Sequence, residues 1–346
     1  MACLALAAGG AQKSQGGGEA RGEDSGRLYP VLFKHRWGYV DRSGRTVIEP
    51  KYDNEAFFSD GVAVVMSGLD HERAERTRPR GNMVEIKPGP DGVKWEIIDT
   101  SGKTLAALPR GTYLSAFFSE GLSPVSGWEE GKGSVYGYMD KTGRVVIRAQ
   151  FERAGHFSEG LADACTESGR CGFIDHAGKF VVPPRYKEVH PFSEDLAYVV
   201  TRDGRAGFVN KSGEMVIAPQ FEPRPFGDFK EGLAAVTLPD SKKFGYIDKT
   251  GQFRIQPEFG GALEFSDGLA PVSTNGRWGY IDREGRFVIA PQFAVAMTFS
   301  EGLAPVSTCT GVLYPSHEHT GKCGYGYIDK IGRFVIDQRF EDGGPF

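Results

Sequence analysis

The sequence lacks the signatures by which several functional classes announce themselves. No run approaches eighteen consecutive apolar residues, so none of the 346 residues forms a helix able to span a membrane. There is no charge excess: 41 basic against 45 acidic residues leave a net charge of −4, which gives no electrostatic footprint for nucleic acid or an anionic membrane surface. There is no phosphate-cradling glycine loop, nucleophile elbow or zinc-protease helix. What remains, 40% apolar and 12% aromatic residues, is the composition of a globular protein and unlike that of a disordered chain.

The first 26 residues, MACLALAAGGAQKSQGGGEARGEDSG, stand apart. Small and apolar residues followed by a Gly-rich polar tract read either as a disordered leader or as a clipped signal peptide, without the basic start and most of the apolar core. Neither reading places them in the fold.

From Leu28 onward the chain repeats itself. The glycine of an aromatic-Gly-aromatic-Ile-Asp core recurs at Gly38, Gly137, Gly172, Gly207, Gly245, Gly279 and Gly326, and Glu96 takes its place in a degenerate copy. A second glycine follows six residues later in each copy, as at Gly44, Gly102, Gly285 and Gly332. A third landmark, FSEG or FSDG, ends 23 residues after the first in five units and 25 in two, with Asp195 once replacing its glycine. Eight units result, at 28–61, 62–121, 122–160, 161–195, 196–232, 233–268, 269–302 and 303–346. All variation in length falls between the landmark and the next core, where the shortest copy, GLAPVSTNGRWG, holds Asn275-Gly276 between two apolar runs. Asn-Gly there is a strong hairpin signal, because a type I′ turn needs positive φ at both central positions.

The next turn reads DREG, DKTG, DRSG or DHAG, with an Asp that accepts backbone N–H groups and a Gly in the left-handed position. Each unit is therefore expected to be a three-stranded meander, LAPVS, RWGYID and RFVI in unit 7, followed by a connector whose proline ends the third strand. Alternation puts Ala270, Val272, Gly279, Ile281, Phe287 and Ile289 on one face and Leu269, Pro271, Trp278, Tyr280 and Val288 on the other. Both faces are apolar, so each meander is expected to be covered on both sides. The expectation is an all-β fold of stacked units forming an open superhelical β-solenoid, with an eight-bladed propeller as the alternative.

These residues also carry a resemblance. RWGYIDREGRFVIAPQF with FSEGLAPV is similar to the WG-repeat family of bacterial proteins over Leu28 to Phe346. The resemblance implies an extracytoplasmic or surface-associated repeat module. Glu96, Cys171, Ala206 and Asp195 depart from the pattern.

Hairpin register decides the cysteines. Cys165 and Cys171 occupy the facing positions of Ser273 and Trp278, and Cys309 faces Cys323 across the neck of the last insertion. Facing non-hydrogen-bonded sites have Cα atoms about 4.5 Å apart, within disulfide reach. Two disulfides and an oxidising compartment are expected; four reduced strand cysteines are the alternative, and zinc spacing is absent.

Candidate chemistry is sparse. The recurring Asp residues all begin the same turn. His317 and His319 lack a third ligand, so no metal or other cofactor is expected. Arg73, Arg76, Arg78 and Arg80 crowd one insertion, either as a solvated hairpin tip or as a grip on an acidic partner. Trp37, Trp278 and Tyr325, with their counterparts in other units, could form a stacking surface for sugars or pack into the core. The expected function is a non-enzymatic extracytoplasmic scaffold binding protein or glycan, without nucleic acid or membrane insertion; the alternative is an enzyme or ligand-binding propeller with a central polar site.

Overall fold

A computed structural model describes residues 27–69, 83–85, 93–109, 113–115, 117–129, 133–224, 227–239, 241–308 and 324–340. Among them are thirty β-strands and no helix, arranged in eight antiparallel sheets, one per repeat unit. In unit 7 the meander runs Ala270–Thr274, Arg277–Ile281, Phe287–Phe293. Its first hairpin closes on Asn275 (φ 53°) and Gly276 (φ 76°), the type I′ geometry the sequence demands. In the second, Asp282 Oδ1 accepts the N–H groups of Glu284 and Arg286 at 3.0 and 2.9 Å.

Two features depart from the sequence reading. The sequence predicts three strands per unit with the connector's proline ending the third, yet Phe287–Phe293 runs on past Pro291, and Arg153–Ser158, Glu188–Val189, Gly261–Ala262 and Val295–Ala296 each add a fourth strand to the next meander. The proline silences only its own donor; past it, Ala294 already donates to Ser307 O at 2.8 Å. The second departure is a bulge. Tyr280 pairs with Ile289 while Ile281 pairs with Phe287, so two residues oppose one and Ile289 crosses to the Tyr280 face.

That register explains how the units stack. Leu269, Tyr280, Ile289, Phe293 and Phe299 of unit 7 and its connector share a core with Ala304, Val306 and Ile328 of unit 8. The opposite face of unit 7, Ala270, Val272 and Ile281, shares a core with unit 6. Seven such cores join the eight units in sequence, which is why one meander cannot stand alone. The recurring Gly279 has no room for a side chain: a Cβ there would lie 2.5 Å from Ile289 O and 2.7 Å from Pro291 N.

The FSEG landmark couples each unit to the next. Its acidic residue and glycine both have positive φ, as at Glu231 (51°) and Gly232 (77°), and form a two-residue hairpin turn. The serine hydroxyl donates to the phenylalanine carbonyl of the following landmark, as from Ser158 to Phe192 and Ser266 to Phe299, both at 2.7 Å. The acid accepts an N–H of the following landmark, as Glu194 does from Gly232 and Asp267 from Gly302. A cation from the turn two units further on joins it: Lys141 with Asp60, Lys211 with Glu159, Lys249 with Glu194.

Among the described residues no apolar core joins unit 8 to unit 1. Leu303, Tyr327 and Ile336 of unit 8 are half-buried where their counterparts Leu269, Tyr280 and Ile289 are buried. Tyr29, Val31 and Val40 of unit 1 are half-buried where Ala270, Val272 and Ile281 are fully buried. A Cβ added at Gly44 would meet nothing within 4 Å, whereas one at Gly285 or Gly332 would press on an isoleucine of the preceding unit.

Candidate functional site

Residues that break the repeat at fixed positions are the place to look for something beyond scaffold. Units 4 and 5 carry Phe173 and Phe208 where Tyr39, Tyr138, Tyr246 and Tyr280 donate a hydroxyl hydrogen bond to a connector carbonyl. Asp163 stands in the place of Pro271 and Pro305, and Tyr198 does so one unit later. His190 stands in the place of Leu263 and Met297, and Asp228 in the place of Thr298.

The fold brings these departures together across units 4 to 6. His190 is positioned by its backbone N–H, which donates to Tyr198 O at 3.0 Å; its ring lies against that of Tyr198, centroids 4.8 Å apart. Nδ1 meets Asp228 Oδ1 at 3.2 Å and Nε2 meets Glu188 Oε1 at 3.3 Å. Burial opposes the imidazolium, but the Asp228 and Glu188 carboxylates outweigh it and raise the pKa. With both nitrogens engaged by acids, His190 has none left to activate a hydroxyl. It ties one connector to the next instead.

Asp163 lies deeper. Its Oδ1 has no hydrogen-bond partner, and its carboxyl is pressed so close to Gly155 that a Cβ there would fall 1.8 Å from Oδ1. Burial pushes its pKa up to about 6, against its own backbone N–H, Arg153 and His190, which favour the anion. Tyr198 is pushed up to about 12, chiefly by burial, and burial also raises Glu264. Among the described residues no group of three or more His, Cys, Asp or Glu is arranged to hold a metal.

The residues singled out from sequence are distributed elsewhere. Cys165 and Cys171 form a disulfide between adjacent strands of unit 4, Cα atoms 4.0 Å apart, within the core shared with unit 5. Cys309 and Cys323 lie outside the described residues, as do Arg73, Arg76, Arg78 and Arg80. Trp37 and Trp278 are half-buried opposite Tyr52 and Phe293, and Tyr325 is buried. These rings pack inward and make no continuous exposed platform.

What the array does expose is a row of aliphatic side chains that sequence reading overlooked. Val47, Leu105, Val146, Val181, Val216, Val288 and Val335 hold the second position of the third strand in their units, each 38–58% exposed; Arg254 takes that place in unit 6. The signal was present in the repeated RFVI pattern. Assigning its valine to a buried face concealed it.

A family model described as WG containing repeat matches residues 37–68, 136–168, 172–204, 207–238, 244–278, 278–308 and 325–346. Unit 2, with Glu96 in place of the core glycine, is the copy it passes over. Among solved structures, the computationally designed Ika8 protein is similar at 12% identity, covering 82% of this chain and 86% of that one with a TM-score of 0.48. BamB from Moraxella catarrhalis is similar at 10% identity, covering 83% and 95%, with a TM-score of 0.41. No curated protein matches the chain.

Proposed function

The chain belongs to the WG containing repeat family, and from that premise we propose that it is a non-enzymatic scaffold, working outside the cytoplasm, that binds a protein partner. The observation that carries this reading is the valine row. One exposed aliphatic side chain in seven of the eight units, repeated along edge strands, offers apolar area to an extended partner. A glycan surface would need a platform of exposed rings, whereas Trp37 and Trp278 are half-buried against Tyr52 and Phe293 and Tyr325 is buried. The Cys165–Cys171 disulfide supports the compartment, since such bonds persist where the medium is oxidising.

A second reading, a polar ligand site, draws on one observation: the buried Asp163 with an unpartnered oxygen beside His190 and Asp228. Screening residues 27–346 against protein and glycan arrays separates the two. The scaffold reading expects protein binders that are lost when Val146, Val181 and Val216 are changed together to serine. Binding of glycans alone, or retention of every protein binder by that variant, would refute it.

A further inference from the structure

We propose that the ends of the array form a reversible seam, in which unit 1 docks on unit 8 of the same chain, latched by Arg27 and propped ajar by Tyr29. Every landmark acid from Asp60 to Asp267 reaches the following landmark turn. Glu301, the last of them, meets Arg27, 274 residues earlier in the chain, at 2.9 Å. Arg27 directly precedes Leu28 as Gly302 precedes Leu303, so it stands where a landmark glycine would. Unit 1 thus sits beside unit 8 in the place of a following unit.

The two end faces suit one another because the repeat already joins their equivalents. Leu303, Tyr327 and Ile336 reproduce the Leu269, Tyr280 and Ile289 that unit 7 buries against unit 8. Val31 and Val40 reproduce the Val272 and Ile281 that unit 7 buries against unit 6. One residue does not fit: Tyr29 occupies the position of Ala63, Ala162, Ala197, Ala234, Ala270 and Ala304, all at most 1% exposed. A phenol where six junctions accept only a methyl group keeps the faces apart, so the six end residues stay half-buried. The Arg27 guanidinium, 5.7 Å from the Tyr29 ring centroid, links the prop to the latch.

Because Arg27 and Glu301 are about half exposed, the latch is weak and salt-sensitive, which makes the seam reversible. The array therefore has a closed and an opened form, and the opened form uncovers the apolar faces of units 1 and 8.

Spin labels introduced as noncanonical residues at Ser43 and Asp337 report the seam by pulsed dipolar spectroscopy; labels at the equivalent Glu284 and Gln256 report a sealed junction. All four positions are exposed. The proposal expects a Ser43–Asp337 distance longer than the control, shortened to it by Tyr29→Ala and lengthened by Arg27→Glu. About 1 M salt, where the Debye length falls to about 3 Å, should lengthen the wild-type distance, an arm that needs no substitution. A distance indifferent to salt and both variants, or a short distance arising only between separately labelled chains, would overturn it.

Discussion

The carboxylate of Glu194 accepts the backbone N–H of Gly232 at 2.9 Å, across a unit boundary and 38 residues along the chain. Lys249 completes the clamp at 3.2 Å. The N–H bond is charge-assisted and half-buried, whereas the lysine is 44% exposed and screened. Glu194→Ala should therefore cost about 1–2 kcal/mol and Lys249→Ala less than about 0.5 kcal/mol. Equal losses in urea unfolding would show that the ion pair, not the N–H bond, holds the units together.

Gly279→Ala should be far more damaging than its single methyl suggests. The added carbon would meet backbone atoms of the third strand at 2.5–2.7 Å, and those atoms are fixed by their own ladder. A loss of at least about 2 kcal/mol is expected, read as a lower unfolding midpoint with unchanged slope. A neutral outcome would mean that the strand can move aside.

Removing the disulfide by Cys165→Ser with Cys171→Ser should destabilise by about 2 kcal/mol on the loop-entropy model, because the cysteines are only six positions apart in the chain. The effect should vanish when wild type and variant are compared under reducing conditions. Peptide mapping of exported protein should recover the Cys165–Cys171 link.

Acidity should favour the fold around units 4 to 6. His190 has a raised native pKa, so its contribution is complete below its unfolded value and lost as pH rises through the folded one. Asp163 moves from 3.8 to about 6, so the native state also holds this proton more tightly and loses stability as pH climbs between those values. Thermal midpoints should be lower at pH 8 than at pH 5.5. At pH 8 Asp163→Asn should recover up to roughly 3 kcal/mol, and at pH 5.5 less. A destabilising Asp163→Asn at pH 8 would show that the anion has a partner.

Much of this fold is legible in sequence where the information is local. Asn275-Gly276, the Asp282 turn and the facing of Cys165 and Cys171 all follow from register within one hairpin. The landmark was visible as FSEG, but its role depends on contacts such as Ser158 with Phe192, 34 residues apart, which no local pattern encodes. The bulge that moves Ile289 to the other face is equally silent, since either register leaves the strand apolar. The His190 cluster had a signal: polar residues at positions that other units fill with Pro271, Leu263 or Thr298. Its convergence required knowing that successive connectors lie side by side.

The central claim is that the repeated residues build junctions and the valine row binds, while the polar cluster of units 4 to 6 is dispensable for binding. The direct test is equilibrium binding by the variant that restores repeat residues there, Asp163→Pro, His190→Leu and Asp228→Thr, measured against a partner from the array screen. The account predicts wild-type affinity, with Val146, Val181 and Val216 changed to serine abolishing it. Loss of binding in the restored variant, at undiminished thermal stability, would contradict it and place the function at His190.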